Sequence, residues 1–232
     1  MLRIALLAGV MVGCAAAQAP VIRVMRNGPP VEAYASAKAA VNVIGMSAVA
    51  GTSEIWLLEL HDSFASLEDL DRALIPTGAP IPGSSAFVGS LRLGLSYRAQ
   101  EAVQNLPKMR YIDVAMYHIQ PSARAEFETF LKTRRFALSS VNLDRPALVY
   151  QIVSGEPVGT FAVITPLPSL RTFDDAKPVP PAYAQGDQSA ERKAAASSDF
   201  IGVHSWFRIN PGLSYVSDEF ASADADFWRV AR

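Results

Sequence analysis

The chain has 232 residues, of which 50% are hydrophobic and 19% are charged, and its formal net charge is −1. This is enough apolar material for one large or two small globular cores, which excludes a disordered chain. Lys and Arg are scattered and balanced by Asp and Glu, so there is no basic stripe for DNA or RNA, and we expect no nucleic-acid partner.

The first residues have the layout of an export signal. Arg3 is followed by an apolar run from Ile4 to Val12 and then by small residues, and the run is too short for a settled transmembrane span. The letters "AAA" before Gln18 put small side chains at the −1 and −3 positions of a signal-peptidase site. The sequence therefore predicts a signal peptide over residues 1–17 and a mature chain that begins at Gln18, without a transmembrane segment.

A second route of export stays open. Cys14, the one cysteine of the chain, lies in "MVGC", which resembles a bacterial lipobox whose cysteine becomes lipid-modified. Either route places the protein in the periplasm or outside the cell, as a secreted chain or as a lipoprotein anchored through Cys14. Neither leaves cysteines for a disulfide framework, so stability must come from core packing.

The first half of the mature chain predicts the order strand, helix, hairpin, helix, strand. The apolar run "VIRVMR" is typical of a strand, and the alanine-rich "VEAYASAKAAV" after two prolines is typical of a helix. Two β-rich runs bridged by "AGTS" predict a hairpin. Asp62 or Ser63 is the expected cap of the next helix, and a Gly/Pro-rich stretch separates that helix from a strand over residues 86–93.

The second half predicts the same order again. The strand "YIDVAMYHI" is followed by the helix "SARAEFETFLKTRRFALSSV" and by a hairpin of "ALVYQIV" and "TFAVIT". The segment "LPSLRTFDDA" matches "FASLEDLDRA" of the first half in position and pattern. A further helix over residues 182–200 leads to the closing strand "IGVHSWFRI".

Each half ends on the same tripeptide, "LSY", at Leu95–Tyr97 and at Leu213–Tyr215. Two copies of one element order with one ending predict a duplicated βαββαβ unit. Such a unit covers one face of its sheet with helices and leaves the other face to be packed on a partner, which the second copy supplies. We expect an α+β fold of tandem ferredoxin-like units, over residues 18–100 and 101–216 with a tail at 217–232, packed sheet to sheet as a pseudo-dimeric α/β barrel. The "LSY" segments themselves are expected to be turns at strand ends.

The segments "MRYIDVAMYHIQPSARAEFETFLK" and "VYQIVSGEPVGTFAVITPLPSL" resemble the dimeric α/β-barrel group of ferredoxin-like proteins. This group includes NIPSNAP-like proteins and the antibiotic-biosynthesis monooxygenases. The paired "LSY" endings with "SAVAGTSEIWLLELHDSFASLE" are more closely similar to exported bacterial proteins of unknown function that carry two such units. The resemblance implies a chain that is a monomer or a weak homodimer, because single-unit relatives must dimerise.

Strong enzyme motifs are absent from the sequence. It contains no phosphate-binding loop, dinucleotide fingerprint, nucleophile elbow, zinc-protease motif or paired cysteines. His61, His118 and His204 come from three different elements without a local ligand pair, and His118 is expected at the end of its strand rather than in a site. We therefore expect no metal and no cofactor, and no catalytic residue is assigned.

The polar residues of the strands are the candidate site. Because side chains alternate along a strand, the apolar positions of "YIDVAMYHI" are expected to face helices and the polar ones the inside of the barrel. An ion pair between Arg208 and Asp113 or Glu59 is expected there, with Arg23 and His61 nearby, since buried charges need partners. The candidate ligand-binding residues are Asp113, Tyr117, Gln151, His204, Trp206, Arg208 and Glu59.

Three interpretations of this polar set remain open. The residues either form a satisfied structural network between two sheets or line a pocket with Trp206 and Tyr117 as walls. If they line a pocket, an exported protein that binds a small molecule or a partner without catalysis is the first hypothesis. A cofactor-independent monooxygenase that acts on a small apolar or aromatic substrate inside the barrel, with His204 as base, is the alternative.

Overall fold

Eight antiparallel strands close into a barrel in the computed structural model, which describes residues 19–74, 83–140, 142–174 and 201–229. The predicted signal peptide with Cys14 and Gln18, and the helix predicted over 182–200, lie outside the described residues. The strands are Val21–Arg26 (β1), Asn42–Ala48 (β2), Ile55–His61 (β3), Ser85–Leu91 (β4), Tyr111–His118 (β5), Leu148–Ser154 (β6), Thr160–Leu167 (β7) and Ile201–Ile209 (β8).

The strand order runs β1-β3-β2-β8-β5-β7-β6-β4, and β4 pairs with β1 to close the barrel. Taken separately, the first four strands lie in the order β4-β1-β3-β2 and the last four in the matching order β8-β5-β7-β6. Two pairings join these sets, β2 with β8 and β4 with β6. The two sets of strands therefore cannot separate without breaking the backbone hydrogen bonds of these pairings.

Helices cover the outside of the barrel, and the longest of those in the described chain, Arg124–Ser140, has 17 residues. Ser63 caps α2 by accepting a hydrogen bond from the backbone N–H of Ser66 at 3.1 Å, as the sequence predicts. The first helix ends earlier than predicted, at Ser36, and Lys38 then adopts a left-handed backbone with φ of 48°. The helices of the described chain are Val31–Ser36 (α1), Phe64–Ala73 (α2), Ala99–Asn105 (α3), Arg124–Ser140 (α4), Arg171–Asp174 (α5), Asp218–Ser222 (α6) and Ala225–Arg229 (α7).

The inside of the barrel is apolar, which corrects the predicted orientation of the strands. The buried side chains that fill it alternate along every strand, because a closed barrel excludes water from its whole inner face. The polar positions of the strands therefore face outwards, towards the helices. The inner side chains include Ile22, Val24, Ile44, Met46, Trp56, Leu58, Phe87, Ile112, Val114, Leu148, Tyr150, Ile152, Ala162, Ile164, Phe207 and Ile209.

Residues 217–232, predicted as a tail, contain helices α6 and α7, which extend this core. Ser217 caps α6, and the indole N–H of Trp228 donates to the carbonyl of Pro107 at 2.7 Å. Ala221 and Trp228 belong to the same apolar cluster as the inner strand residues. No helix in the described part of the chain is long and apolar enough to cross a membrane.

The two "LSY" segments make equivalent contacts with the opposite set of strands. Tyr97 forms a β-bridge with Ala147, next to β6, and Tyr215 forms one with Val43 on β2. The serine hydroxyls act alike. Ser96 Oγ accepts from the N–H of Val149 and Ser214 Oγ accepts from that of Gly45, both at 2.9 Å. The segments are therefore turns, as expected, and each one bonds its own set of strands to the other set.

Gly45 is required at the second of these turns. A Cβ atom at position 45 would lie 2.0 Å from the backbone oxygen of Leu213, far inside van der Waals contact. The backbone of β2 thus approaches the second "LSY" turn more closely than any side chain allows.

Candidate functional site

A groove lies on the outer face of β5 and β8, beside α4. The register of these strands places Asp113 opposite Trp206, and Ala115 opposite His204. Ala115 belongs to the same apolar cluster as Phe127 of α4, and Asp113, two residues earlier on the same face of β5, keeps 18% of its side chain exposed. The sequence thus gathers one acidic, one imidazole and one indole side chain on an outer surface.

The groove has a volume of about 620 Å³, which is within the usual size of small-molecule sites. Its walls come from α4, from the segment before β6, from β7, and from the end of α5. The lining residues are Ala50, Asp113, Arg134, Leu138, Leu143, Arg145, Ala147, Thr165, Leu167, Phe173, His204, Ser205 and Trp206.

The polar groups of the groove are incompletely paired. Asp113 Oδ1 is buried and accepts no hydrogen bond from a described residue. His204 Nδ1 is 3.5 Å from this oxygen, a separation that gives an ion pair only when the imidazole is protonated. Arg134 is half-buried, and no hydrogen bond or ion pair links it to the described residues. Carboxylate, imidazole and guanidinium groups therefore face the same space with bonding capacity left over.

An aromatic surface forms one wall. The rings of Phe173 and Trp206 are stacked, with centroids 4.8 Å apart and planes 19° apart, and Trp206 keeps 39% of its surface exposed. The Arg145 guanidinium lies 5.2 Å from the Phe173 ring centroid and donates a hydrogen bond to the carbonyl of Thr172. Arg145 is thus already engaged, and the exposed indole is the aromatic surface open to a ligand.

Two predicted site residues, Tyr117 and Gln151, do not line the groove. Tyr117 packs beneath α4, 5.2 Å from Phe127 and 6.4 Å from His204 between ring centroids, and it is not part of the lining. Gln151 accepts hydrogen bonds from Arg92 and Arg124, away from the groove.

Arg208 is exposed and lies opposite Tyr111, so the expected ion pair with Asp113 is not formed among the described residues. The reason is register, because Asp113 faces Trp206 across the strands and Arg208 is two positions further along. The predicted position of these residues inside the barrel is also wrong, as its interior is filled by apolar side chains.

Glu59 lies in a different cluster, under α1 and α2. Its carboxylate is fully buried and receives two hydrogen bonds from Arg23, at 2.7 and 3.1 Å. Tyr34 donates to it at 2.7 Å, and His61 Nε2 lies 3.0 Å away. Burial raises the pKa of Glu59, but the hydrogen bonds of His61 and Arg23, the charge of Arg23 and the Tyr34 hydroxyl together hold it below its usual value. This is the satisfied structural network, and it is separate from the groove.

Sequence reasoning missed Arg134, Arg145, Phe173 and Thr165. A signal existed for Arg134, which follows Leu131 by three residues and Phe127 by seven and so shares their sheet-facing side of the helix. Phe173 and Arg145 carry no such signal, because Phe173 lies in the four-residue helix α5 and Arg145 in the connection before β6, and the positions of both depend on the tertiary fold.

Nothing in the described residues gathers three or more His, Cys, Asp or Glu side chains that could hold a metal ion. The groove offers one carboxylate and one imidazole, which is fewer ligands than a protein metal site ordinarily supplies.

No family model matches the chain, and no curated protein matches it in sequence. Solved structures with similar folds share little sequence with it. A mutant chlorite dismutase from Candidatus Nitrospira defluvii is 11% identical, with a TM-score of 0.47, covering 92% of this chain and 95% of its own. An anthrone oxidase-like protein is 10% identical, with a TM-score of 0.47, covering 82% of this chain and 92% of its own.

A candidate monooxygenase from Fusobacterium nucleatum is 8% identical, with a TM-score of 0.46, covering 82% of this chain and 91% of its own. At such low identities and scores, these likenesses carry no argument about chemistry. The NIPSNAP-like assignment stays a prediction from the sequence.

Proposed function

We propose that this protein binds a small planar molecule in the groove between α4 and the outer face of β5 and β8. The observation that carries the proposal is the convergence of Asp113, His204 and Arg134 beside the exposed indole of Trp206 in a space of about 620 Å³. Few polar groups placed against an apolar wall are what small-molecule sites ordinarily have. The binding site is thus outside the barrel, although the sequence predicted it inside.

Ligand-observed NMR on the mature chain tests this proposal. A mixture of neutral, acidic and basic single-ring aromatic compounds is expected to contain at least one class that binds. Binding should be lost in Trp206→Ala and kept in Phe136→Ala, because Phe136 is an aromatic residue that is 76% exposed and does not line the groove. Absence of binding by all three classes, or binding that survives Trp206→Ala, would overturn the proposal.

A catalytic version is the second candidate, and the Asp113–His204 pair favours it. An imidazole beside a carboxylate can act as a general base and remove a proton from a bound phenolic compound. In the proposed reaction O2 then takes four electrons from the substrate, so that one oxygen atom becomes a quinone carbonyl and the other leaves as water. Oxygen uptake by a bound phenolic compound, present in the wild type and lost in His204→Gln, would support catalysis. Tight binding without oxygen uptake would restrict the role to binding.

We also propose that the barrel is a duplicated ferredoxin-like unit, so that one chain makes what two copies of a single unit would otherwise make. The repeated strand order and the equivalent bonds of Ser96 and Ser214 support it. Residues 18–100 and 101–232, expressed separately, should be insoluble or should associate with each other. Two soluble, monomeric halves would contradict the idea that each unit needs the other to cover its sheet. A stable dimer of the intact chain would contradict the expectation of a monomer or a weak homodimer.

Export remains part of the proposal. The carbonyl of Ala19 accepts a hydrogen bond from the Tyr150 hydroxyl at 3.0 Å, and Ala19 is buried, so we expect a chain cut before Gln18 to keep this contact. The intact mass of the chain from a Gram-negative host should correspond to Gln18–Arg232. A mass that shows lipid on Cys14 would support the lipoprotein route instead.

A further inference from the structure

The groove has chemical requirements that its own residues do not meet, and they specify a ligand class. We infer that the ligand, whose existence depends on the binding function proposed above, is a small aromatic acid that carries a hydrogen-bond donor on its ring. The donor binds Asp113, the carboxylate binds Arg134, and the ring lies against Trp206.

The need for a donor follows from a comparison within the chain. Arg23 lies on β1 opposite Glu59 on β3, and Asp113 lies on β5 opposite Thr165 on β7, which are matching places in the two strand sets. At the first place the Arg23 guanidinium donates a hydrogen bond to each oxygen of the buried Glu59 carboxylate, and neighbouring side chains add further bonds. At the second place the strand partner is a threonine, and Asp113 Oδ1 has no hydrogen bond from a described residue.

A carboxylate oxygen can only accept hydrogen bonds, and leaving a buried acceptor unpaired is costly. The cost is removed when a ligand brings an O–H or N–H group to this oxygen. Asp113 therefore selects ligands with a donor and discriminates against those without one.

The need for an acid follows from the remaining charges. Arg134 and Arg145 line the groove against the single carboxylate of Asp113, so cationic side chains outnumber anionic ones even with a neutral His204. Arg134 has no partner among the described residues, and a guanidinium binds carboxylates through paired hydrogen bonds. A ligand that is only cationic would meet this excess of positive charge, which excludes simple amines.

The ring follows from Trp206, whose partly exposed indole lies opposite Asp113 across the strands and lines the same groove as Arg134. Stacking against it gains energy beyond the burial of area alone.

Three probes and two variants separate these contributions by calorimetric titration of the mature chain. The probes are 4-hydroxyphenylacetate, phenylacetate without the donor, and 4-hydroxyphenylacetamide without the charge. The wild type should bind the hydroxy acid at least about tenfold more tightly than either of the others, as expected for one charge-assisted hydrogen bond. Arg134→Gln should abolish the preference for the acid over the amide. Asp113→Asn should weaken the preference for the hydroxy acid over phenylacetate, because the neutral amide oxygen accepts a weaker hydrogen bond than the carboxylate does.

Matched controls remove a charge elsewhere. Lys132→Gln takes one positive charge from the exposed side of the same helix, and Asp69→Asn takes one negative charge from an exposed ion pair with Arg72 on α2. Both should keep the two preferences of the wild type.

The failure of this inference is distinguishable from the failure of the binding proposal. Equal affinity for all three probes, with loss of binding in Trp206→Ala, would overturn the ligand class and keep the groove as a binding site. Binding of neutral or basic aromatic compounds, but not of the hydroxy acid, would do the same. If no aromatic compound binds, both proposals are wrong.

Discussion

The buried carboxylate of Glu59 is the sharpest test of how this barrel is stabilised. Arg23 and Glu59 face each other across β1 and β3, and their side chains are 11% and 0% exposed. Replacing Glu59 by leucine leaves the guanidinium with Asp71 alone, whose side chain is 71% exposed. It also removes the acceptor of the Tyr34 hydroxyl and of His61.

Breaking a buried ion pair from one side costs about 3–5 kcal/mol of unfolding free energy, because the remaining charge loses its buried counter-ion. We expect this loss for Glu59→Leu and a comparable loss for Arg23→Met. The double variant removes both charges, so it should lose far less than the sum of the two. Asp71→Ala should cost less than about 1 kcal/mol, because that carboxylate is largely in water.

Urea unfolding of the wild type, the two single variants and the double variant measures the coupling. The pH dependence gives an independent check. The pKa of Glu59 is lower in the folded than in the unfolded chain, so the stability it contributes is present above the unfolded value and is lost as the pH falls through the folded value. The advantage of the wild type over Glu59→Leu should therefore shrink on acidification below about pH 4, where carboxylates titrate. Additive single effects, or an advantage that grows with acid, would refute the reasoning.

Two further predictions concern the barrel. Ser96→Ala and Ser214→Ala each remove a hydroxyl that accepts from one backbone N–H and donates to one carbonyl. Each variant should therefore lose about 1–2 kcal/mol of unfolding free energy in thermal unfolding, with the larger loss for the buried Ser96. Ser222→Ala, at an exposed hydroxyl, is the control, and no loss in either variant would contradict a role at these turns. Burial raises the pKa of Tyr150. The stability that the neutral phenol contributes is therefore fully present below the pKa of the unfolded chain and is lost as the pH rises above about 10. Tyr150→Phe should weaken this alkaline loss of stability in pH-dependent unfolding, and an unchanged alkaline profile would contradict the prediction.

The sequence predicted the strands well, because β-branched residues and turn signals mark each one independently of the rest of the chain. It predicted the wrong face for Asp113, Tyr117, His204 and Trp206. Alternation separates two faces of a strand but does not say which face a closed barrel encloses. The interior of the barrel is the driest space available, so the uniformly apolar set that contains Ile112 and Val114 fills it.

The groove could not be predicted from the sequence, for a different reason. Its polar residues on the strands were identified, but the walls depend on where α4 and the segments around Arg145 and Phe173 lie. Short connections are positioned by tertiary packing rather than by their own periodicity. The network around Glu59 was predicted in part. Arg23 and Glu59 were both in the polar set, but Arg208 was expected to pair with Asp113 or Glu59, whereas Arg23 is the partner of Glu59.

Glu59 and Asp113 each have a buried carboxylate oxygen, but these oxygens differ in their hydrogen bonds. Glu59 is saturated with donors, whereas Asp113 Oδ1 has no hydrogen bond from a described residue. An unpaired buried acceptor lowers the stability of the folded state, and binding sites commonly sacrifice stability in this way. Asp113→Leu, which removes the acceptor and adds apolar surface beside Trp206, should therefore raise the free energy of unfolding by about 0.5–2 kcal/mol, whereas Glu59→Leu lowers it. Urea unfolding of the two variants in one buffer decides the point. If Asp113→Leu is destabilising by as much as Glu59→Leu, the Asp113 carboxylate stabilises the fold, and it is not an acceptor left free for a ligand.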